Sequence, residues 1–383
     1  MNRLFFDYNA TTPVREEVMT EMLPFFSENF GNPSSIHRWG QRGREAVESA
    51  REKVAALISA SSEEIVFTSG GSEANSLALA GTALNLLDKK GHIIVSSIEH
   101  PSVLRCAEFL EGLGFRISKV KPDSHGVVPP DQVFRELRRD TILISIMHSN
   151  NETGALQPVE EISTMAHERG IRFHTDAVQS AGKVQFSIKK IDPDLLPLSS
   201  HKFYGPKGIG ALYVKKGERL SPLIFGGGQE KGLRGGTEMV PQIVGMGVAS
   251  SLAAREIDHY EGRLSSIRNE FERTIKEKIP GVIINAEDAL RLPNTSSVIF
   301  KGVDAHSLMI SLDLEGVGVS TGSACHSGTV EPSHVLLDMG ISREDSLSTL
   351  RISFGRMTSL EDALILSSIL NKKVTELRSK KRG

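Results

Sequence analysis

Three short stretches set reactive or ligand-holding residue types directly after apolar runs. In LSSHKFYGPKGIG (198–210), Lys202 follows a run of strand length and precedes a turn rich in Gly and Pro. A lysine at that depth is rarely left without a task, and a desolvated amine with a lowered pKa forms Schiff bases with carbonyls. A lysine merely reaching to the surface would leave the flanking SSH and GPKG unexplained. In HTDAVQSAG (174–182), Asp176 and Gln179 follow a second apolar run. A carboxylate there is costly to bury unless it meets a cation or a protonated ring nitrogen; the alternative is a helix N-cap at Asp176. In FTSGGSEANSLALAG (67–81), Gly70, Gly71 and Ser72 join a strand-like run to a helical pattern. Backbone N–H groups at such a helix start, with glycines permitting close approach, bind phosphate; the alternative is a plain turn capped by Ser72.

Together, a phosphate cradle, an acidic partner for a ring nitrogen and a Schiff-base lysine are the protein parts that hold pyridoxal phosphate. A fourth stretch, VSTGSACHSGTVEPSH (319–334), places Cys325 among small residues without helical or strand period, which reads as a loop. The other cysteine, Cys106, follows EHPSVLR on a helical pattern and reads as core. Neither has the CxxC or Cys/His spacing of a structural zinc site, so no resident metal is expected. Two distant thiols point to a reducing, cytoplasmic compartment.

The elements that must position these residues are legible as alternating patterns. Apolar runs at 64–69, 92–97, 141–147, 171–176, 194–200 and 209–214 are separated by helix-patterned segments. Continuous apolar strands alternating with helices predict an α/β fold whose large domain carries a mostly parallel sheet buried on both faces. Each run ends in polar residues, where ligands sit in open α/β sheets. Residues 250–279 read as a linking helix, and strands at 281–286, 295–300 and 350–355 predict a smaller α+β domain near the C-terminus. With 383 residues, the chain accommodates both domains. A net charge of −2 argues against general nucleic-acid binding, and the basic KKVTELRSKKRG reads as a solvated helix end. No run reaches transmembrane length, and the three consecutive apolar residues of MNRLFFDYNATTP are too few for a signal-peptide core.

The chain resembles the cysteine desulfurases of the class-V aminotransferase superfamily, pyridoxal-phosphate fold type I, in the branch serving iron–sulfur cluster assembly. The motifs carrying the resemblance are FDYNATTP (6–13), NFGNPSSIH (29–37), FTSGGSEAN, SSIEHPSVL (96–104), HSNNETG (148–154), HTDAVQ, SSHKFYGPKGIGALYV, FGGGQEKGLRGGTEMVPQIVGMG (225–247), STGSAC (320–325) and LRISFGRMT (350–358). It implies an N-terminal segment, 1–14, associated with the small domain, a cofactor-binding domain over 15–258, and a small domain over 259–383 carrying the Cys325 loop. Lys202 then bears the cofactor, Asp176 pairs with its ring nitrogen, Gln179 hydrogen-bonds the ring hydroxyl and His100 stacks on the ring. Gly71, Ser72, Ser199 and His201 match phosphate-contacting positions, with Ser200 a backbone neighbour and Thr237 reaching the phosphate across a dimer interface. Asn151 and Arg351 hold the substrate carboxylate, assisted by Asn32. In the implied reaction, Cys325 takes sulfur from L-cysteine as a persulfide, alanine leaves, and an acceptor such as a cluster scaffold collects the sulfur. Contact with an iron–sulfur cluster would be transient and through Cys325. A selenocysteine lyase or other β-eliminating lyase is the alternative enzyme, and a non-catalytic fold relative the alternative outside enzymes; Cys325 and the set Lys202, Asp176 and Arg351 respectively weigh against them. Three residues depart from the usual pattern: Tyr8 for Asn, Ser72 for Thr, and His326 beside Cys325, where it can tune the thiol or add a ligand. Residues 352–383 are fewer than in relatives whose C-terminal tail docks a scaffold, which leaves the acceptor open.

Overall fold

The computed structural model describes residues 4–322 and 331–380. Its strands are β1 (Leu4–Phe5), β2 (Ile65–Thr68), β3 (His92–Ser96), β4 (Arg116–Val120), β5 (Thr141–Ser145), β6 (Arg172–His174), β7 (Leu195–Ser199), β8 (Gly210–Val214), β9 (Val282–Ile284), β10 (Thr295–Phe300), β11 (Val317–Gly318) and β12 (Thr349–Ser353). Seven form one sheet in the order β2-β8-β7-β6-β5-β3-β4. Only β8 runs against the others, pairing antiparallel with β2 and β7. The mostly parallel α/β sheet therefore stands as the apolar runs predict. Successive residues feed cores on opposite faces: Ile65 and Phe67 join one, Val66 the other, and Ala211 and Leu212 divide likewise. Burial on both faces is what the unbroken apolar runs encode.

The sequence reading missed β4. Its RISKV is an edge strand with alternating exposure, so it lacks the continuous apolar signal of its neighbours.

Helix Val240–Lys278 starts ten residues before the segment read as a linker. At 1.5 Å per residue its 39 residues span roughly 58 Å. Val240 to Leu252 pack in the same core as helix Arg38–Ile58, whereas Tyr260 to Ile275 pack with β10, β12 and helix Leu360–Lys380. Between Leu252 and Tyr260 no residue is buried, so one helix serves two cores. Gly247 lets it meet helix Arg38–Ile58, since a Cβ there would lie 2.7 Å from the Ala50 Cα. The second core covers an antiparallel sheet in the order β12-β10-β9. The N-terminal segment joins that region: β1 pairs in parallel with β11, and Asp7 bridges to Ser353.

Candidate active site

The carboxyl ends of β2, β5, β6 and β7 converge on a cleft, the position favoured for ligands in α/β sheets. Beyond β2, helix Gly71–Leu84 starts from Gly70, whose φ of +154° suits glycine alone, and no side chain caps its first N–H groups. Ser72 is thus not the cap. Gly210 keeps this turn close, because a Cβ there would lie 2.7 Å from the Gly70 Cα. The open N-terminus borders a cavity of about 450 Å³ lined by Gly71, Ser72, Ser199, His201 and Lys207. Burial, reinforced by Lys202, Lys207 and Lys183, pushes the His201 pKa down to about 4, so its imidazole is neutral, and Nδ1 lies 3.1 Å from Thr11 Oγ1. Ser200 is fully buried with its hydroxyl against Gly205, where a Cβ would stand 1.9 Å from Oγ, and its backbone N–H donates to the Ile209 carbonyl at 3.2 Å.

Lys202 ends the short 3-10 turn after β7 and donates from Nζ to the carbonyls of Asn9 at 2.7 Å and Ala10 at 2.9 Å. Burial and the nearby Arg351 cation lower its pKa to about 8, against the smaller opposing pull of Asp176 and Asp7. Asp176 is 6% exposed; Oδ1 accepts the Val178 N–H at 2.9 Å and Oδ2 accepts Asn75 Nδ2 at 2.7 Å. It starts no regular helix, so the alternative of an N-cap falls away. From Asn75 the hydrogen bonds run on to Ser102 Oγ at 3.0 Å, and from Ser102 to His100 Nδ1 at 2.8 Å. His100 caps helix Pro101–Gly112 through that same Nδ1, which leaves its exposed ring facing the cleft. Next to it, Glu99 is fully buried: Oε1 accepts from Ser96 Oγ and the Met147 N–H, while Oε2 has no partner among the described residues. Burial raises its pKa to about 8, with Asp176 adding to the rise.

Gln179 Nε2 donates to the Asn9 carbonyl at 3.0 Å, the acceptor that Lys202 also uses. Asn9 is 1% exposed and binds Asn151 O and Thr295 Oγ1 through Nδ2, so it ties the N-terminal segment, the large sheet and β10 together. The Arg351 guanidinium, on β12, donates to Asp7 Oδ1 at 2.6 Å and Asn151 O at 3.1 Å, and its buried Nε has no partner among the described residues. Asn151 and Arg351 are therefore in contact, with N–H bonds left for a carboxylate. Asn32 is not brought to them: it is exposed, and its Oδ1 accepts the Ser34 N–H in a local turn. Thr237 is exposed. Cys325 and His326 lie outside the described residues. Glu152 is buried, accepts from Ser333 Oγ at 2.5 Å and lies against Gly322. Cys106 is core, as its setting predicts, and burial raises its thiol pKa to about 11.

Asn9, Asn75, Ser102, Asp7 and Lys207 escaped the sequence reading. Asn9 and Asp7 sit inside the quoted FDYNATTP and Lys207 inside GPKG, but residue type alone gave none of them a role.

The donor set fits pyridoxal phosphate: an uncapped helix start for the phosphate, a buried carboxylate for a ring nitrogen, and a lysine of lowered pKa between them. The cleft and the sheet are those of a fold-type-I pyridoxal-phosphate protein. Aminotransferase class-V is the family whose pattern matches residues 4–366, and the chain belongs to it. It is 48% identical over 376 residues to the cysteine desulfurase IscS of Dictyoglomus turgidum, across 98% of this chain and 95% of that one. With the cysteine desulfurase IscS of Methanosarcina thermophila it shares 46% identity, covering 98% of this chain and 93% of the other. A solved NifS-like protein superimposes with a TM-score of 0.92 at 36% identity, over 98% of this chain and 100% of its own. The structure of SspA in complex with cysteine superimposes with a TM-score of 0.83 at 42% identity, over 92% and 99%. Among the described residues, no helix is long and apolar enough to cross a membrane.

Proposed function

We propose that the chain is a pyridoxal-phosphate-dependent cysteine desulfurase, converting L-cysteine to L-alanine and leaving the sulfur as a persulfide on Cys325. The observation that carries this reading is Lys202, held by the Asn9 and Ala10 carbonyls with a pKa near 8 and acted on by the buried Asp176, directly after Ser199 and His201, which line the cavity at the uncapped helix start. Pyridoxal phosphate bound there supplies a carbonyl for the substrate amine and an electron-accepting ring. Gly71, Ser72, Ser199 and His201 would hold its phosphate, Asp176 would keep a proton on the ring nitrogen, Gln179 would donate to the ring hydroxyl and His100 would stack on the ring. Arg351 and Asn151 orient the substrate carboxylate, which turns the α-hydrogen toward Lys202. An amine with a pKa near 8 is partly unprotonated at neutral pH, so Lys202 can take that proton. Cys325 then attacks the substrate sulfur as a thiolate: an S–S bond forms, the C–S bond breaks, and the carbon is protonated to alanine.

A division at 14 and 258 is supported by the helix Val240–Lys278 that serves two cores and by the pairing of β1 with β11. A homodimer is the active form, with Thr237 completing the partner's phosphate site; Phe30 at 69%, Ile36 at 90% and Phe225 at 83% exposure leave apolar surface for a second copy to cover. The persulfide passes to a sulfur-acceptor protein such as a cluster scaffold, in a reducing, cytoplasmic setting that keeps Cys325 reduced.

Incubation with L-cysteine is the test, with alanine and protein-bound persulfide measured together. Equimolar formation is expected, and Cys325→Ala is expected to abolish both while keeping the bound cofactor. A wild-type rate of alanine release in Cys325→Ala would overturn the nucleophile.

A further inference from the structure

Among the described residues Lys183 is the one lysine with a fully buried side chain, at 1% exposure, and the proposed chemistry does not use it. It lies in the turn after β6, four residues beyond Gln179. Nζ donates to Gln179 Oε1 at 2.7 Å and to Asn9 Oδ1 at 3.1 Å. Among the described residues no carboxylate lies within ion-pair distance, and the charged groups acting on it are Lys202 and Arg351, both cations. Two acceptors match the two N–H bonds of an uncharged amine, and burial together with those cations holds its pKa well below the ordinary lysine value.

The arrangement has a directional consequence. A side-chain amide presents either its oxygen or its NH₂ group to a given neighbour, and only its hydrogen-bond partners decide which. Lys183 is a donor to Gln179 Oε1, so Nε2 must point the other way, to the Asn9 carbonyl shared with Lys202. The same Nζ fixes Asn9 by its oxygen, so the carbonyl at which Lys202 and Gln179 meet is immobilised too.

We infer that Lys183 is a positioning residue: its Nζ fixes the Gln179 amide, and with it Asn9, so that an N–H bond is aimed at the hydroxyl of the cofactor ring. This rests on the proposed role of Gln179, and the test separates the two. Without that N–H, negative charge on the ring oxygen is less stabilised, and the cofactor–lysine linkage holds its proton to higher pH.

The experiment compares holoenzymes of wild type, Gln179→Leu, Lys183→Met, the double variant and Lys183→Gln. Each is read by the pH midpoint of the bound cofactor's visible absorption and by its thermal midpoint. Gln179→Leu and Lys183→Met are each expected to raise the absorption midpoint by roughly half to one pH unit. The double variant is expected to add nothing further, because both changes remove one interaction. Lys183→Gln, which keeps two N–H donors, is expected to restore at least half of the shift. If Gln179→Leu leaves the midpoint unmoved, the reading of Gln179 falls and this inference with it. If Gln179→Leu moves it but Lys183→Met does not, whatever its thermal midpoint, Lys183 is only a structural amine and the inference alone is overturned. Where Lys183→Met yields no soluble holoenzyme, Lys183→Gln decides: a full Gln179→Leu shift overturns the inference, and less than half of it supports it.

Discussion

At one end of the cleft, the proposed phosphate cradle begins with Gly70, Gly71 and Ser72, consecutive residues at a helix start that borders a cavity. At the other end, Asp176 and Gln179 are each 6% exposed, and beside a local partner, Val178 and Lys183 respectively, each takes one from far away: Asn75 is 101 residues from Asp176, and Asn9 is 170 residues from Gln179. The difference follows from what each end must hold. A phosphate accepts hydrogen bonds from any direction, and backbone donors from one turn supply them. A ring nitrogen and a ring hydroxyl each demand one donor or acceptor of defined orientation. Orientation inside a protein comes from closed networks, and those need several elements.

The contrast can be broken by substitutions ordered by expected effect. Lys202→Ala removes the amine proposed to bond to the cofactor, so borohydride should fix no cofactor to the variant, read by mass spectrometry of the reduced protein. Label on a different lysine would remove Lys202 from the centre of the comparison.

Glu99→Gln probes the buried floor of the ring end. An acid whose folded pKa is about 8, above its ordinary 4.5, contributes stability that is fully present below pH 4.5 and is lost as the pH rises through 8. The amide cannot ionise, so the variant is expected to exceed wild type by about 2–4 kcal/mol at pH 9 and to match it near pH 5. Denaturant titrations at the two pH values check this, and parallel curves for both proteins would mean that Glu99 ionises freely.

Asn75→Ala cuts the bridge from Asp176 to Ser102 and leaves a buried carboxylate oxygen without its donor. A loss of about 1–3 kcal/mol is expected, seen as roughly 5- to 150-fold weaker cofactor binding. The smallest effect belongs to the phosphate end. Ser72→Ala deletes one exposed hydroxyl while the backbone donors remain, and should weaken cofactor binding by less than about tenfold, near 0.5–1.5 kcal/mol. If Ser72→Ala proved costlier than Asn75→Ala, the two ends would not differ as described.

The same contrast governs what could be read before the fold was known. Ile65–Thr68, His92–Ser96 and Leu195–Ser199 were legible because strands buried on both faces must be apolar throughout. Arg116–Val120 was not, because an edge strand alternates like many exposed segments. Lys202, Asp176 and the Gly70–Gly71 turn were legible because each is chemically out of place beside an apolar run. Asn75 and Ser102 look like ordinary polar residues on helices, and only their meeting with Asp176 and His100 gives them a role.

The sequence by itself determined the alternation of strands and helices, the residues of unusual chemistry at the strand ends, and the family. These are local properties, set by side-chain type and spacing. Tertiary structure alone decided that Asn9 is the hub of the cleft, that Arg351 meets Asp7 and Asn151, that Asn32 does not join them, and that Lys183 faces Gln179. Each depends on which distant segments the packed cores bring within hydrogen-bond distance. No residue's identity carries that information, because the same asparagine or lysine on the surface would be bonded to water.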